Sequence, residues 1–378
     1  MSHLVKKNKL IIVGVSPHSL VNFRGELIKS FVSLDCEVIA IASSATPDEI
    51  DAVESLGVRY IDVPVVRTSI NPFTDLKTMF FYQKVFEQEQ PNFVLSYTIK
   101  PVVWGGLALR SNRNAHFTAL ITGLGYAFEG KGFKRGVLRF IVSQLYKLSL
   151  KHANQVVFQN YDDLNYFVEN SLVAKEKTNV VPGSGVPLAH FQQQSLPKGE
   201  VVFLMVARLL KEKGVYHFVE AACQVKKKFP NAHFQLLGGL DPSPDGINQS
   251  VVDEWVTQDC IAYLGETKDV RPYLTQSHVF VLPSYYREGL PRTILEAMAT
   301  GRPILTTDNV GCREPILEGE NGWLVPVKDS QALADRMIWF IEHPEQIERM
   351  GLASRKIAED KFDVHKVNEE MLKIMEIA

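Results

Sequence analysis

The sequence predicts an α/β chain of two lobes, each built on a parallel sheet. Three observations predict this. At 378 residues the chain is longer than one ordinary core serves. Short apolar runs alternate with amphipathic stretches of helical spacing, the pattern of strands joined by helical crossovers. That alternation halts in a Pro- and Gly-rich stretch, Val181-Pro182-Gly183-Ser184-Gly185-Val186-Pro187, and restarts at Val201. The expected division is a first lobe over 1–186 and a second over 187–361, with 183–199 read as the linker.

In the first lobe Leu10 to Val13 reads as a buried strand broken at Gly14, and Ser16 to Asn22 as a loop. Leu27, Ile28, Phe31 and Val32 then recur at helical spacing before a second strand, Glu37 to Ala42. This β-loop-α-β opening is Rossmann-like, but Gly-x-Gly-x-x-Gly is missing, which argues against a dinucleotide cofactor. Phe73 to Gln90 reads as a helix closed by Pro91, and Phe93 to Leu95, Phe117 to Ile121 and Gln155 to Phe158 as strands. Asn160 caps a helix whose positive first turn holds Asp162 and Asp163. In parallel sheets ligands gather beyond the carboxyl ends of the strands. Gly14, Asn22, Arg24, Lys100, Thr122 and Gly123 follow strand ends and are the candidates there.

Lys131 to Lys151 holds Lys131, Lys134, Arg135, Arg139, Lys147 and Lys151 with no acid, interleaved with Phe133, Val137, Leu138, Phe140 and Ile141. A basic amphipathic helix of this kind suits an anionic membrane surface, with Lys131, Phe133, Lys134, Arg135 and Arg139 facing it. A core-facing helix with a solvated basic face is the alternative.

In the second lobe Val201 to Val206, Phe234 to Leu237, Ile261 to Tyr263, Val279 to Leu282 and Ile304 to Thr306 read as strands. Ala207 to Gly214 is a loop opening a helix, and Gly238-Gly239 stops the next strand. After Val279 to Leu282 comes a loop carrying Glu288, then a helix with Pro291 near its first turn and Gly301 just past its end. Arg292 stands in that helix's positive first turn, where a cation is disfavoured by about 0.3–1 kcal/mol unless an anion arrives.

The bulk numbers fit a globular chain, 46% hydrophobic and 22% charged. A net charge of −2 argues against a nucleic-acid partner. The halves differ: residues 1–186 carry 20 Lys+Arg against 16 Asp+Glu, the remainder 21 against 27. Cys36, Cys223, Cys260 and Cys312 show no metal spacing and are expected as free thiols in a reducing compartment. No run of about 18 apolar residues occurs, and Leu10 to Val15 is too short for a signal peptide.

Glu288 and Glu296 are spaced Glu-x7-Glu within Arg287-Glu288-Gly289-Leu290-Pro291-Arg292-Thr293-Ile294-Leu295-Glu296-Ala297-Met298-Ala299, followed by Gly301-Arg302-Pro303-Ile304. This string closely resembles the retaining glycosyltransferases of family 4, and Ala207-Arg208-x4-Lys213-Gly214 resembles that family's second fingerprint. The resemblance implies the GT-B fold, two Rossmann-like domains with parallel sheets facing across a cleft, and a C-terminal helix, 362–378, packed back on the first domain. It implies a nucleotide-sugar donor. Arg208 and Lys213 would hold its diphosphate, Glu288 would touch the sugar hydroxyls and Glu296 the ribose. Gly289, Leu290, Pro291, Arg292, Thr293 and Gly239 would complete the donor side. Fixed cations beside a helix N-terminus stabilise charge developing on a leaving diphosphate. That needs no metal, and no Asp-x-Asp is present to hold one.

The first lobe narrows the resemblance. Ser19-Leu20-Val21-Asn22-Phe23-Arg24-Gly25, Ser96-Tyr97-Thr98-Ile99-Lys100-Pro101 and Ile121-Thr122-Gly123-Leu124-Gly125-Tyr126 look like bacterial enzymes that extend lipid-linked sugars, of the bacillosaminyl-diphospho-undecaprenol N-acetylgalactosaminyltransferase type. The implied reaction moves an N-acetylhexosamine or hexose from a UDP-sugar to a polyprenyl-diphosphate-linked sugar at the inner membrane face, with no cofactor. The alternatives are a soluble acceptor, or a nucleotide-sugar-binding subunit without catalysis. The chain departs from the family in lacking the His that many members carry at a first-lobe strand end. His116 lies at the wrong end of its strand, so no general base is assigned.

Overall fold

The computed structural model describes residues 7–63, 72–112, 114–128 and 132–377. Lys131, one of the membrane candidates, lies outside them. The chain forms two compact units, one running to Ser184 and resuming at His365, the other spanning Gly185–Val364.

The first unit holds strands β1 (Lys9–Val13), β2 (Glu37–Ser43), β3 (Arg59–Val63), β4 (Phe93–Tyr97), β5 (His116–Ile121), β6 (Gln155–Phe158) and β7 (Thr178–Val180), in the order β3-β2-β1-β4-β5-β6-β7. Every pairing is parallel; Leu10, for instance, lies opposite both Val38 and Phe93. Successive residues of β1 point to opposite faces. Ile11 and Val13 join one core, with Val85 and Phe86 of the helix Pro72–Glu89 and Val102 and Val103 of the helix Ile99–Ala108. Leu10 and Ile12 join the other, with Leu27 and Phe31 of the helix Pro17–Ser33. The C-terminal helix Val364–Ile374 places Val367, Met371 and Leu372 in that second core.

The stretch from Ser16 to Asn22, read as a loop, is helical from Pro17. Ser16 accepts from Ser19 N at 3.3 Å and Pro17 opens the helix Pro17–Ser33, so Asn22 and Arg24 lie on that helix. A capping Ser followed by Pro is a helix start, and it outweighs the poor apolar periodicity of the first turns. Lys100 lies in the first turn of the helix Ile99–Ala108. Strands β3 and β7 had little apolar pattern to reveal them: β3 reads Arg59-Tyr60-Ile61-Asp62-Val63, and both lie at sheet edges.

The second unit holds β8 (Val202–Val206), β9 (His233–Leu237), β10 (Ala262–Tyr263), β11 (Val279–Leu282), β12 (Ile304–Thr307) and β13 (Gly322–Val325), in the order β10-β9-β8-β11-β12-β13, again all parallel. Of the segment read as a linker, Val186 and Phe191 are buried, while 192–195 and 198–199 are exposed. Val186 and Phe191 belong to this unit's core, and Val186 N donates to Phe362 O at 2.8 Å.

The cysteine expectation is corrected. Cys223, on the helix Val215–Lys228, is bonded to Cys260, just after the helix Gln249–Thr257, while Cys36 and Cys312 are free and buried. A separation of 37 residues hides the pair in the sequence. Packing of the two helices, with Tyr216 edge-on to Trp255 at 5.1 Å, brings it together.

Candidate active site

In the second unit the chain runs outward from β8 to β9 and β10, then returns to place β11, β12 and β13 on the other side. The strand order therefore reverses between β8 and β11, the place where ligands gather in sheets of this kind, beyond the carboxyl ends of the strands. The loops leaving those two ends are 207–214 and 283–291, the two stretches that carry the sequence motifs.

Backbone hydrogen bonds lock the loops together. The Glu212 carbonyl accepts from Tyr285 N (3.0 Å) and Tyr286 N (3.1 Å). Gly214 has φ +78°, and a Cβ there would run into the Pro283 carbonyl, so only glycine permits this approach. From the β12 side Thr307 Oγ1 donates to Ser284 O, and Asn309 Nδ2 donates to Tyr286 O at 2.8 Å. Gly311 lies so close to the Glu288 and Gly289 carbonyls that a Cβ would meet them at 2.7 and 2.5 Å.

Within this frame Lys213 Nζ donates to Glu288 Oε1, and Ser284 Oγ donates to the same oxygen at 3.1 Å. Both partners of the ion pair are mostly shielded, at 18% and 12% side-chain exposure, so the pair is little screened. Cys312 is fully buried beside it; burial and then the Glu288 charge push its thiol up to about 12, so it is an inert neighbour.

The helix Arg292–Ala299 has Pro291 as its N-cap, and no described side chain caps it. Leu290 is buried, while Arg292 and Thr293 are half-buried. Arg292 Nε donates to Glu296 Oε1 at 3.0 Å, so a carboxylate of its own helix already answers this cation. Burial pushes the Glu296 carboxyl up to about 7, against the opposing pull of Arg292. Arg302 serves structure: fully buried, it donates to the carbonyls of Leu274, Gln194, Ser195 and Thr275 at 2.9–3.1 Å.

The structure thus joins Lys213 to Glu288 and Arg292 to Glu296. Arg208 pairs elsewhere, with Asp241 at 2.6 Å. Gly239 lies on that same β9 loop, its Cα face close against Glu266. Sequence reasoning missed Asp241, Ser284, Asn309 and Gly311. Only Gly311 left a signal, a glycine shortly after an apolar strand.

The first unit reverses strand order between β1 and β4. Gly14 and Arg24 converge there on Tyr97: a Cβ on Gly14 would strike the phenol, and the Arg24 guanidinium lies 5.2 Å from the ring centre. Tyr97 OH and Ser19 Oγ are 2.6 Å apart. Lys100 Nζ donates to Asp75 Oδ1 at 2.9 Å, and Gly14, Asp75 and Lys100 line one cavity of about 40 Å³. Asn22 is exposed, and Thr122 and Gly123 follow β5, one strand further on.

The basic stretch forms the helix Phe133–Leu150, anchored by buried Tyr146, Ser149 and Leu150. Phe133 is 88% exposed and Phe140 65%, with Val137, Ile141 and Leu148 also in solvent, so this helix presents more than a basic face to water. Among the described residues no helix is long and apolar enough to cross a membrane.

Two parallel-sheet α/β units, the second with cations beside a helix N-terminus at its strand reversal, are the architecture of the GT-B fold. The chain matches the family described as glycosyl transferases group 1 over residues 188–357, and glycosyl transferase 4-like over 23–160. It is 31% identical, over 94% of its own length and 95% of the relative's, to the N,N'-diacetylbacillosaminyl-diphospho-undecaprenol alpha-1,3-N-acetylgalactosaminyltransferase of Campylobacter jejuni. It is 25% identical, over 87% and 84%, to the UDP-Gal:alpha-D-GlcNAc-diphosphoundecaprenol alpha-1,3-galactosyltransferase of Escherichia coli. The chain therefore belongs to this glycosyltransferase family. Similar solved structures include the sucrose-phosphate synthase of Thermosynechococcus elongatus (TM-score 0.81, 19% identity, 98% of each chain). The Anabaena HepE protein in complex with UDP and glucose is another (TM-score 0.77, 18% identity, 98% of this chain and 100% of that one).

Proposed function

We propose that this glycosyltransferase moves a sugar from a UDP-sugar to an undecaprenyl-diphosphate-linked sugar, with retention of anomeric configuration and without a metal. An N-acetylhexosamine such as GalNAc is the donor favoured by the likeness to the Campylobacter jejuni enzyme. The observation that carries the reading is the shielded Lys213–Glu288 pair at the strand reversal, beside a helix with no side-chain cap. A donor diphosphate seated at the amino end of the helix Arg292–Ala299 meets first-turn N–H groups and the ammonium of Lys213. As the sugar–phosphate bond breaks, charge grows on the leaving oxygen, and these fixed positive groups stabilise it more in the transition state than before. Glu288 orients the sugar hydroxyls and Glu296 accepts from both ribose hydroxyls. Front-face attack by the acceptor hydroxyl, on the side the diphosphate leaves, gives retention.

The acceptor reading rests on the relatives' printed substrates, and the membrane reading on the helix Phe133–Leu150. Its Phe133, Val137 and Phe140 would enter the interface while Lys134, Arg135 and Arg139 meet anionic headgroups at the inner face of the cytoplasmic membrane. The test is transfer from a panel of UDP-sugars to a lipid-linked acceptor, with product linkage read by NMR and EDTA present in one arm. An inverted product or loss of turnover in EDTA defeats the corresponding part. Transfer to a water-soluble acceptor alone defeats the lipid reading.

A further inference from the structure

The three cations that the family resemblance assigns to the donor are each answered by a carboxylate: Lys213 by Glu288, Arg292 by Glu296, and Arg208 by Asp241. The first two carboxylates have hydroxyls to meet in the proposed reaction. Asp241 has none. It is also the fixed member of its pair, 11% exposed against 63% for Arg208. Ser243 N donates to its Oδ1 at 2.9 Å. The loop that bears it is laced to the β8 loop: Leu209 N donates to Gly239 O (2.9 Å), Lys211 N to Asp245 O (3.0 Å) and Ile247 N to Leu209 O (2.9 Å). The carboxylate is therefore built in, and the guanidinium is the movable arm.

We infer that Asp241 is a counter-charge, acting through Arg208, that weakens the hold on the spent nucleoside diphosphate and so promotes product release. The inference rests on the proposed donor site, with Arg208 added to it as a ligand of the diphosphate. A UDP-sugar's diphosphate is esterified at both ends and carries two negative charges. Transfer leaves UDP with a free terminal phosphate, whose last proton has a pKa of about 6, so UDP carries close to three at neutral pH. A fixed negative charge nearby opposes the product about half as much again as the substrate. Asp241 touches no reacting atom; it is a positioning and selectivity residue.

The test is calorimetric titration of UDP and of a UDP-N-acetylhexosamine, without acceptor, into the wild type, Asp241→Asn and Arg208→Ala at low and high ionic strength. Asn keeps the shape and an acceptor for Ser243 N, and melting curves confirm that each variant is folded. Asp241→Asn is expected to tighten UDP on the order of tenfold at low salt and the UDP-sugar by roughly fivefold, an advantage that shrinks at high salt. In turnover, the ratio of the UDP inhibition constant to the donor KM falls. If Asp241→Asn leaves the two affinities in their wild-type ratio, or weakens both, the inference is overturned. Arg208→Ala separates the two failures. If it weakens UDP while Asp241→Asn changes nothing, only the counter-charge role is lost. If it leaves UDP binding intact, Arg208 is no diphosphate ligand and both readings of it fall.

Discussion

The two units reverse their strand order in the same manner, between β1 and β4 in one and between β8 and β11 in the other, yet the two sites are chemically unlike. At the first reversal the Tyr97 phenol fills the space over Gly14 and bonds Ser19, and the cavity beside it holds about 40 Å³. At the second, a shielded lysine–glutamate pair stands among locked loops. Shared topology supplies a crevice; the residues at its rim decide what the crevice does. In the proposed reaction the second unit's site must meet the diphosphate at the bond that breaks, whereas the first must present a sugar hydroxyl, the acceptor's own diphosphate lying one sugar away from it.

The sharpest break of this contrast is by removing one charge on each side. Lys213→Ala or Glu288→Ala is expected to lower kcat about a hundredfold to a thousandfold, as loss of a transition-state contact does. Lys100→Ala, on the first unit, should cost roughly tenfold or less, mostly in acceptor KM. Steady-state rates varying each substrate in turn decide it; equal losses in kcat would erase the distinction. The glycines sharpen it next. Gly214→Ala forces a Cβ into the Pro283 carbonyl at positive φ, so it should cost about 3 kcal/mol or more in urea unfolding. Gly14→Ala meets the Tyr97 side chain, which can shift, and should cost about 1–2 kcal/mol.

Proton linkage gives a third handle. Glu296 titrates at about 7 when folded against an ordinary 4.5, so between those values the folded chain holds a proton that the unfolded chain releases. Stability from this group is therefore present below about pH 4.5, is lost as pH rises through about 7, and is flat above. Donor binding runs the other way, since only the carboxylate accepts two ribose hydroxyls. Affinity for a UDP-sugar, whose phosphates do not titrate in this range, should fall about tenfold from pH 8 to pH 6. Glu296→Gln should abolish that slope. The smallest effect concerns the membrane: Phe133→Ser with Phe140→Ser should lower flotation with anionic vesicles several-fold and leave UDP affinity unchanged.

Much of the second unit was legible because β8 and β11 are uniform apolar runs, although β13, Gly-Trp-Leu-Val, is absent from the sequence reading. Val279–Leu282 is buried at all four positions and was read at its observed bounds. The first unit was harder. Its helix Pro17–Ser33 begins with few apolar residues at helical spacing, so only the Ser16-Pro17 start marks it. Within the site the Glu288 and Glu296 positions stood out through their surrounding string. The partners did not: Arg208 and Asp241 are 33 residues apart, and nothing in either neighbourhood points to the other.

By itself the sequence determined the alternation of strand and helix, the two-unit plan and the family, because hydrophobic periodicity and short motifs are local properties of a chain. Only the tertiary structure decided which carboxylate answers which cation, that Cys223 meets Cys260, and that Glu296 holds its proton to about pH 7. Pairing and desolvation depend on distances between segments far apart along the chain, and these are set when the sheets assemble and loops meet over their carboxyl ends.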